Sequence, residues 1–213
     1  MYRFLTGLTI VCMVVLALTS KTRAGVDVGL SVDEDGIKGF YLAIGEHYRV
    51  PEREVVVVRD RNVPDEELPV VFFLARHASV EPAAIVKLRL GGMSWMDIAL
   101  HFSLSPSIFF IEFDRDPGPP YGKAWGHFRN REKAHWGDIR LPDADIINIV
   151  NLKFVSEKYG CSPAEVVKMR ARGDRFVAIH KQAKAGKGKP AKSKQVVADS
   201  NDDKPKTSGK KHK

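Results

Sequence analysis

The sequence predicts an all-α fold, with helix-pair repeats in one compact domain. Three observations carry this. A stretch of nineteen residues recurs three times without a gap. The second half of each copy has apolar residues at helical spacing. Each copy closes on Asn or Gly, residues that tolerate the left-handed conformation that ends a helix.

The copies are Ile44–Asn62, Leu74–Gly92 and Val155–Gly173. Val50, Val80 and Cys161 share one slot, and the pairs Val55-Val56, Ile85-Val86 and Val166-Val167 share the next. Val58, Leu88 and Met169 follow, and an arginine comes after each: Arg59, Arg89 and Arg170. Apolar positions at i, i+1 and i+3 place one stripe on a helix face. Pro82 and Pro163 suit a first helical turn, where the missing N–H costs nothing. Ser162 to Glu165 has the pattern of a capping box, and Ser94 to Asp97 starts a further helix in the same way. Val55–Val58 alone reads as a strand. The matching slots hold Ala-rich sequence, so a helix is predicted there too. Each unit is therefore a helix, a turn near Val50, Val80 or Cys161, and a second helix. Phe176 stands where Trp95 stands, so a third helix follows the last two units. The predicted core includes Ile44, Val55, Leu74, Ile85, Leu88, Trp95, Ile98, Val155, Val166 and Met169.

The motif starts once more at Ile98, Phe102, Leu104 and Pro106, then gives way to the strand-like SIFFIEF. Val26, Val28, Leu30 and Val32 alternate likewise. A small two-stranded β element is expected from these two runs, the first of them in an N-terminal segment, 25–39. The repeat domain itself is expected over 40–180. Asp143 is placed to cap the helix Ala144–Tyr159.

The ends differ from the body. The chain has 213 residues and a formal charge of +8, from 34 Lys+Arg against 26 Asp+Glu. Residues 1–24 hold Arg3, Lys21 and Arg23 with no acid, and 181–213 hold eleven lysines and three aspartates. The body between is mildly acidic, which argues against a basic domain wrapped on nucleic acid. Residues 1–24 read as a secretory signal: a basic start, the apolar run Phe4–Leu18, and small residues before Gly25. An uncleaved membrane anchor is the alternative. Cleavage removes Cys12 and leaves Cys161 alone, which permits no internal disulfide. Residues 181–213 are rich in Lys, Gly, Pro and Ser and are expected to be a disordered tail. Only Val196-Val197 interrupts that composition. Such a tail can touch anionic surfaces, including lipid headgroups and wall polymers.

Residues 114–140 break the repeat. Tyr121, Trp125, Phe128 and Trp136 alternate with Lys123, Arg129, Arg131 and Lys133. A long loop rich in rings is a candidate partner-binding surface, so Tyr121, Trp125, His127, Phe128, Arg129 and Trp136 are the candidate contact residues. His127, His135 and Asp138 are the one set near enough in sequence to consider for a metal, and no metal is assigned. Arg59, Arg89 and Arg170 sit in last helical turns, where a cation meets the negative helix end, so they are assigned structural roles. No motif for a cofactor or for catalysis is present, so a non-enzymatic protein is expected, and an enzyme using His127, His135 and Asp138 of the 114–140 loop is the alternative.

Two resemblances follow from these residues. The unit L-x3-Y-x-V-x-P-x2-V-x2-L-R-x2-G-x-S-W-x2-I-A, clearest at Leu74–Ala99, resembles a motif of uncharacterised exported bacterial proteins. It runs from Phe40 to His180, and the third copy departs from it at Asp174-Arg175-Phe176. It implies an exported, helix-rich bacterial protein and carries no activity. SWMDIALHFSLSPSIFF is similar to the first helix and turn of a helix-turn-helix. Its next helix would present Ile108, Phe109, Phe110 and Ile111 instead of polar base-reading side chains. Specific nucleic-acid binding is therefore not expected. The expected partner is a protein or an anionic polymer of the cell envelope, with weak membrane-surface contact through the tail.

Overall fold

The computed structural model describes residues 34–186, and all structural statements concern those residues. The chain there is helical, with no strand. The helices are α1 (Glu34–Tyr48), α2 (Glu52–Arg59), α3 (Leu68–Ala78), α4 (Pro82–Leu90), α5 (Trp95–His101), α6 (Gly122–Arg129), α7 (Asp143–Tyr159), α8 (Pro163–Ala171) and α9 (Phe176–Gly186). Short 3₁₀ turns lie at Asp65–Glu67, Pro106–Phe109 and Lys133–Asp138.

The three units are the hairpins α1–α2, α3–α4 and α7–α8. The second and third are followed by α5 and α9. Helices α3 and α7 pack against each other, and α1 lies against both and against α9. Leu68–Ala75 of α3 are all buried, and α7 buries residues on every side, including Asn148 and Asn151. A helix that is apolar all round belongs inside. Asn151 donates from Nδ2 to the carbonyls of Glu66 (2.7 Å) and Ile147 (2.8 Å), while its Oδ1 is buried without a partner. Of the predicted core, Leu88 and Met169 are partly exposed yet packed on the core, and the rest are buried.

The helix-ending position behaves as its composition requires. Asn62, Gly92 and Gly173 have φ of 63°, 91° and 92°. A second left-handed position recurs at Arg49 (61°), Ser79 (55°) and Gly160 (70°), where the first helix of each unit ends. Ser103 (58°) repeats it in the partial fourth copy. Val50, Val80 and Leu104 each donate back five residues, to Gly45, Ala75 and Ala99. That bond closes the helix end and turns the chain into the next helix.

Several expectations change. Ile108–Phe113 form no strand: Pro106–Phe109 wind into a 3₁₀ turn that buries Phe109 in the core. The second helix of a helix-turn-helix is absent there for the same reason. The other half of the expected β element, Val26–Val32, lies outside the described residues, as do residues 1–24 and 187–213; residues 181–186, expected in the disordered tail, instead complete α9, where Ala183 is buried. Residues 34–39 belong to α1, not to a segment before the domain. Residues 114–140 are not an irregular loop: they contain the two turns of α6.

Candidate functional site

The repeat arginines sit at two matched junctions. Arg89 ends α4. Its Nε and Nη2 donate to Glu67 Oε2 (3.0 Å) and Oε1 (3.2 Å), a two-point carboxylate contact. Its Nη1 donates to Asp143 Oδ2 (2.6 Å) and to the Met93 carbonyl (3.2 Å). The Trp95 ring lies 4.6 Å from the guanidinium. Burial opposes the charge, but Glu67 and Asp143 outweigh it and hold the guanidinium above its ordinary pKa.

Arg170 repeats the arrangement 81 residues later. Nε donates to Asn148 Oδ1 (3.0 Å), the position matching Glu67, and Nη1 to the Asp174 carbonyl (3.1 Å), matching Met93. Nη2 reaches Glu66 Oε2 at 3.5 Å, and Phe176 lies 4.7 Å away in the place of Trp95.

The acids cross between the halves. Asp143, at the start of α7, accepts from the backbone N–H of Trp95 (2.7 Å), which opens α5. Glu66, ahead of α3, accepts from the N–H of Phe176 (3.0 Å), which opens α9. Each half thus supplies the carboxylate that satisfies a helix start and an arginine in the other. The expectation that Asp143 caps its own helix is corrected: Pro142 is the cap residue there, and Asp143 serves α5. Arg59 has no such setting. Its side chain is 54 % exposed and meets Asp60 at 3.3 Å, because Val63-Pro64 replaces the third helix. Of the three repeat arginines, Arg89 and Arg170 make this set of inter-element contacts.

The aromatic segment is sorted by burial. Tyr121 and Phe128 are each 2 % exposed, and both face inward. The Tyr121 hydroxyl is buried without a hydrogen-bond partner, and burial raises its pKa. With Phe109, Ile111, Trp125 and Phe128 it lines a small apolar cavity. Trp136 staples the segment: Nε1 donates to the carbonyls of Phe128 and Arg131, both at 3.2 Å. Its ring lies 5.1 Å from Phe128 and 4.7 Å from Phe110. The rings therefore form the seat of α6.

The polar side chains face outward. His127 is exposed and lines an open groove of about 400 Å³ with Gly122, Lys123, Gly126, Asn130 and Arg131. The two glycines remove side-chain bulk from that helix face. No carboxylate lines the groove. Asp145 lies close enough to interact with His127 and Lys123, while burial raises its own pKa. Arg129 is exposed beside the groove. His127, His135 and Asp138 are not brought together: no cluster of three or more His, Cys, Asp or Glu suited to a metal occurs among the described residues. No described helix is long and apolar enough to cross a membrane.

The chain matches no protein-family model, no curated protein and no solved structure.

Proposed function

We propose that the chain is an exported, non-catalytic interaction protein of the bacterial cell envelope. Its helical body binds an anionic partner through the outer face of α6, and the Lys-rich tail adds a second basic contact. The observation that carries the reading is the division of labour along 114–140. The rings pack inward, whereas Lys123, His127, Asn130 and Arg131 open onto a groove whose lining residues include no carboxylate, with Asp145 beside it. A basic concavity of this kind attracts a polyanion at long range. The secretory pattern of residues 1–24 supports an envelope location.

The test is binding of a phosphodiester wall polymer to the mature chain and to a form ending at Gly186. Removing the tail should weaken binding and flatten its salt dependence, since fewer counterions are released. The variant Lys123→Glu/Arg131→Glu should abolish what remains. If the form ending at Gly186 does not bind, or if charge reversal changes nothing, the α6 face is not the site. Equal binding of duplex DNA by the tail-less form would make the groove a general polyanion site and overturn its assignment to a wall polymer.

A further inference from the structure

A second groove, of about 890 Å³, runs between residues 112–117 and α8. Its inner lining is apolar: Val167 is buried, and Phe113, Pro117 and Pro163 are half-buried. Its rim carries the exposed carboxylates Glu112, Asp114, Asp116 and Glu165, against Arg115 and Lys168. Asp116 accepts from the Gly118 N–H (2.8 Å), and Glu165 is held in the α8 capping box. Glu112 and Asp114 make no ion pair among the described residues. An apolar floor inside an acidic rim fits a short apolar segment preceded by lysines.

The chain carries one such segment beyond Gly186. Residues 187–213 hold nine lysines and three aspartates. Their only adjacent apolar β-branched pair is Val196-Val197, preceded by Lys192 and Lys194. Val196 lies ten residues past Gly186, a reach of about 33–36 Å when extended. α9, which carries the tail, packs against α8, one wall of the groove, so the tail leaves from an element next to its seat. Tethering supplies an effective concentration of about a millimolar, at which even a weak site fills.

We propose that Lys192–Val197 of the chain's own tail seats in this groove, with the valine pair on the apolar floor and the two lysines on the rim. The contact competes with any outside anion for the tail lysines. An anionic partner therefore draws the tail off the body, and a free body keeps it folded back.

The test is carbodiimide cross-linking of the mature full chain, read by peptide mass spectrometry, with no partner present. It can therefore fail without touching the proposed function. Expected are isopeptide links within one chain from Lys192 or Lys194 to Glu112, Asp114 or Asp116. Val196→Ser/Val197→Ser should cut their yield about tenfold, because burial of the valine pair supplies the docking energy. These substitutions lie outside the helical domain and leave its fold intact. Glu112→Lys/Asp114→Lys should shift the links away from the groove, and adding Lys192→Glu/Lys194→Glu should restore the contact, read as salt-sensitive protection of the tail from proteolysis. Links spread evenly over all tail lysines would overturn the proposal, as would links unaffected by the serine variant. Links between two chains would overturn the intramolecular contact.

Discussion

Replacing Asp143 with alanine tests the crossed-acid arrangement directly. Two contacts are lost at once. The Trp95 N–H, 2.7 Å from Oδ1, is left without a side-chain acceptor at the start of α5, which costs about 1 kcal/mol as for other lost caps. Arg89 Nη1 loses a 2.6 Å charge-assisted bond, worth about 1.5–3 kcal/mol. The side chains of Arg89 and Asp143 are 21 % and 31 % exposed, so solvent screens the pair and the lower figure applies. Glu67 still neutralises the guanidinium. The expected loss is about 2.5 kcal/mol, or roughly 5–10 °C in Tm for a domain of this size. Asp143→Asn keeps an acceptor for Trp95 and should lose about half as much. Glu66→Ala should cost less than Asp143→Ala, because its arginine contact is longer at 3.5 Å. Urea unfolding of the three variants reads these values. A loss below about 0.5 kcal/mol for Asp143→Ala would refute the reasoning, placing it among ordinary surface changes.

Other outcomes follow from the same structure. Gly92→Ala and Gly173→Ala should each destabilise by about 1–2 kcal/mol, because an added Cβ meets no atom within 4 Å and only the left-handed backbone resists it. Unequal losses in urea titrations would expose a difference between the two junctions. Trp136→Phe keeps a ring against Phe110 and Phe128 but removes both Nε1 bonds, for a loss of about 1 kcal/mol and faster hydrogen exchange over 129–140. His180 is buried between Phe40 and Tyr159, whose hydroxyl is 2.7 Å from Nδ1. Burial, aided by Lys184 and Lys158, lowers its pKa to about 4. The unfolded chain therefore binds the proton more readily, so stability is full above about pH 6.5 and falls as pH drops towards 4. His47 and His77 are lowered by burial and act in the same direction. Tm measured from pH 7.5 to 4.5 should fall less steeply in His180→Gln, and an unchanged slope would clear His180 of the effect.

Much of the architecture is legible from local chemistry. The slots of Asn62, Gly92 and Gly173 announce themselves by residue type, as does Ser162 with Glu165. The second left-handed position hides because Arg49 and Ser79 are not residues that advertise φ > 0. Only Gly160 does, and only in one copy. The apolar run at Ile108–Phe113 mimics a strand because a short buried 3₁₀ turn and a strand need the same side chains. The α6 helix is obscured by Gly122 and Gly126, poor helix formers that tertiary packing overrides. The crossed acids were beyond reach for another reason. Asp143 and Arg89 are 54 residues apart, and Glu66 and Arg170 are 104 apart. No periodicity within a unit encodes a partner in the opposite unit.

The crossed acids bear on how the chain can be cut. A break at Pro117-Gly118 would put Glu66, Arg89 and Trp95 on one fragment and Asp143, Arg170 and Phe176 on the other. Each fragment would carry an arginine that has lost a carboxylate partner to its sibling, although Arg89 would keep Glu67. Each would also begin a helix at an N–H that only the sibling can satisfy. The two pieces form a complementation pair, each lending one acid and receiving one, so the same bonds that join the halves would select the correct mate.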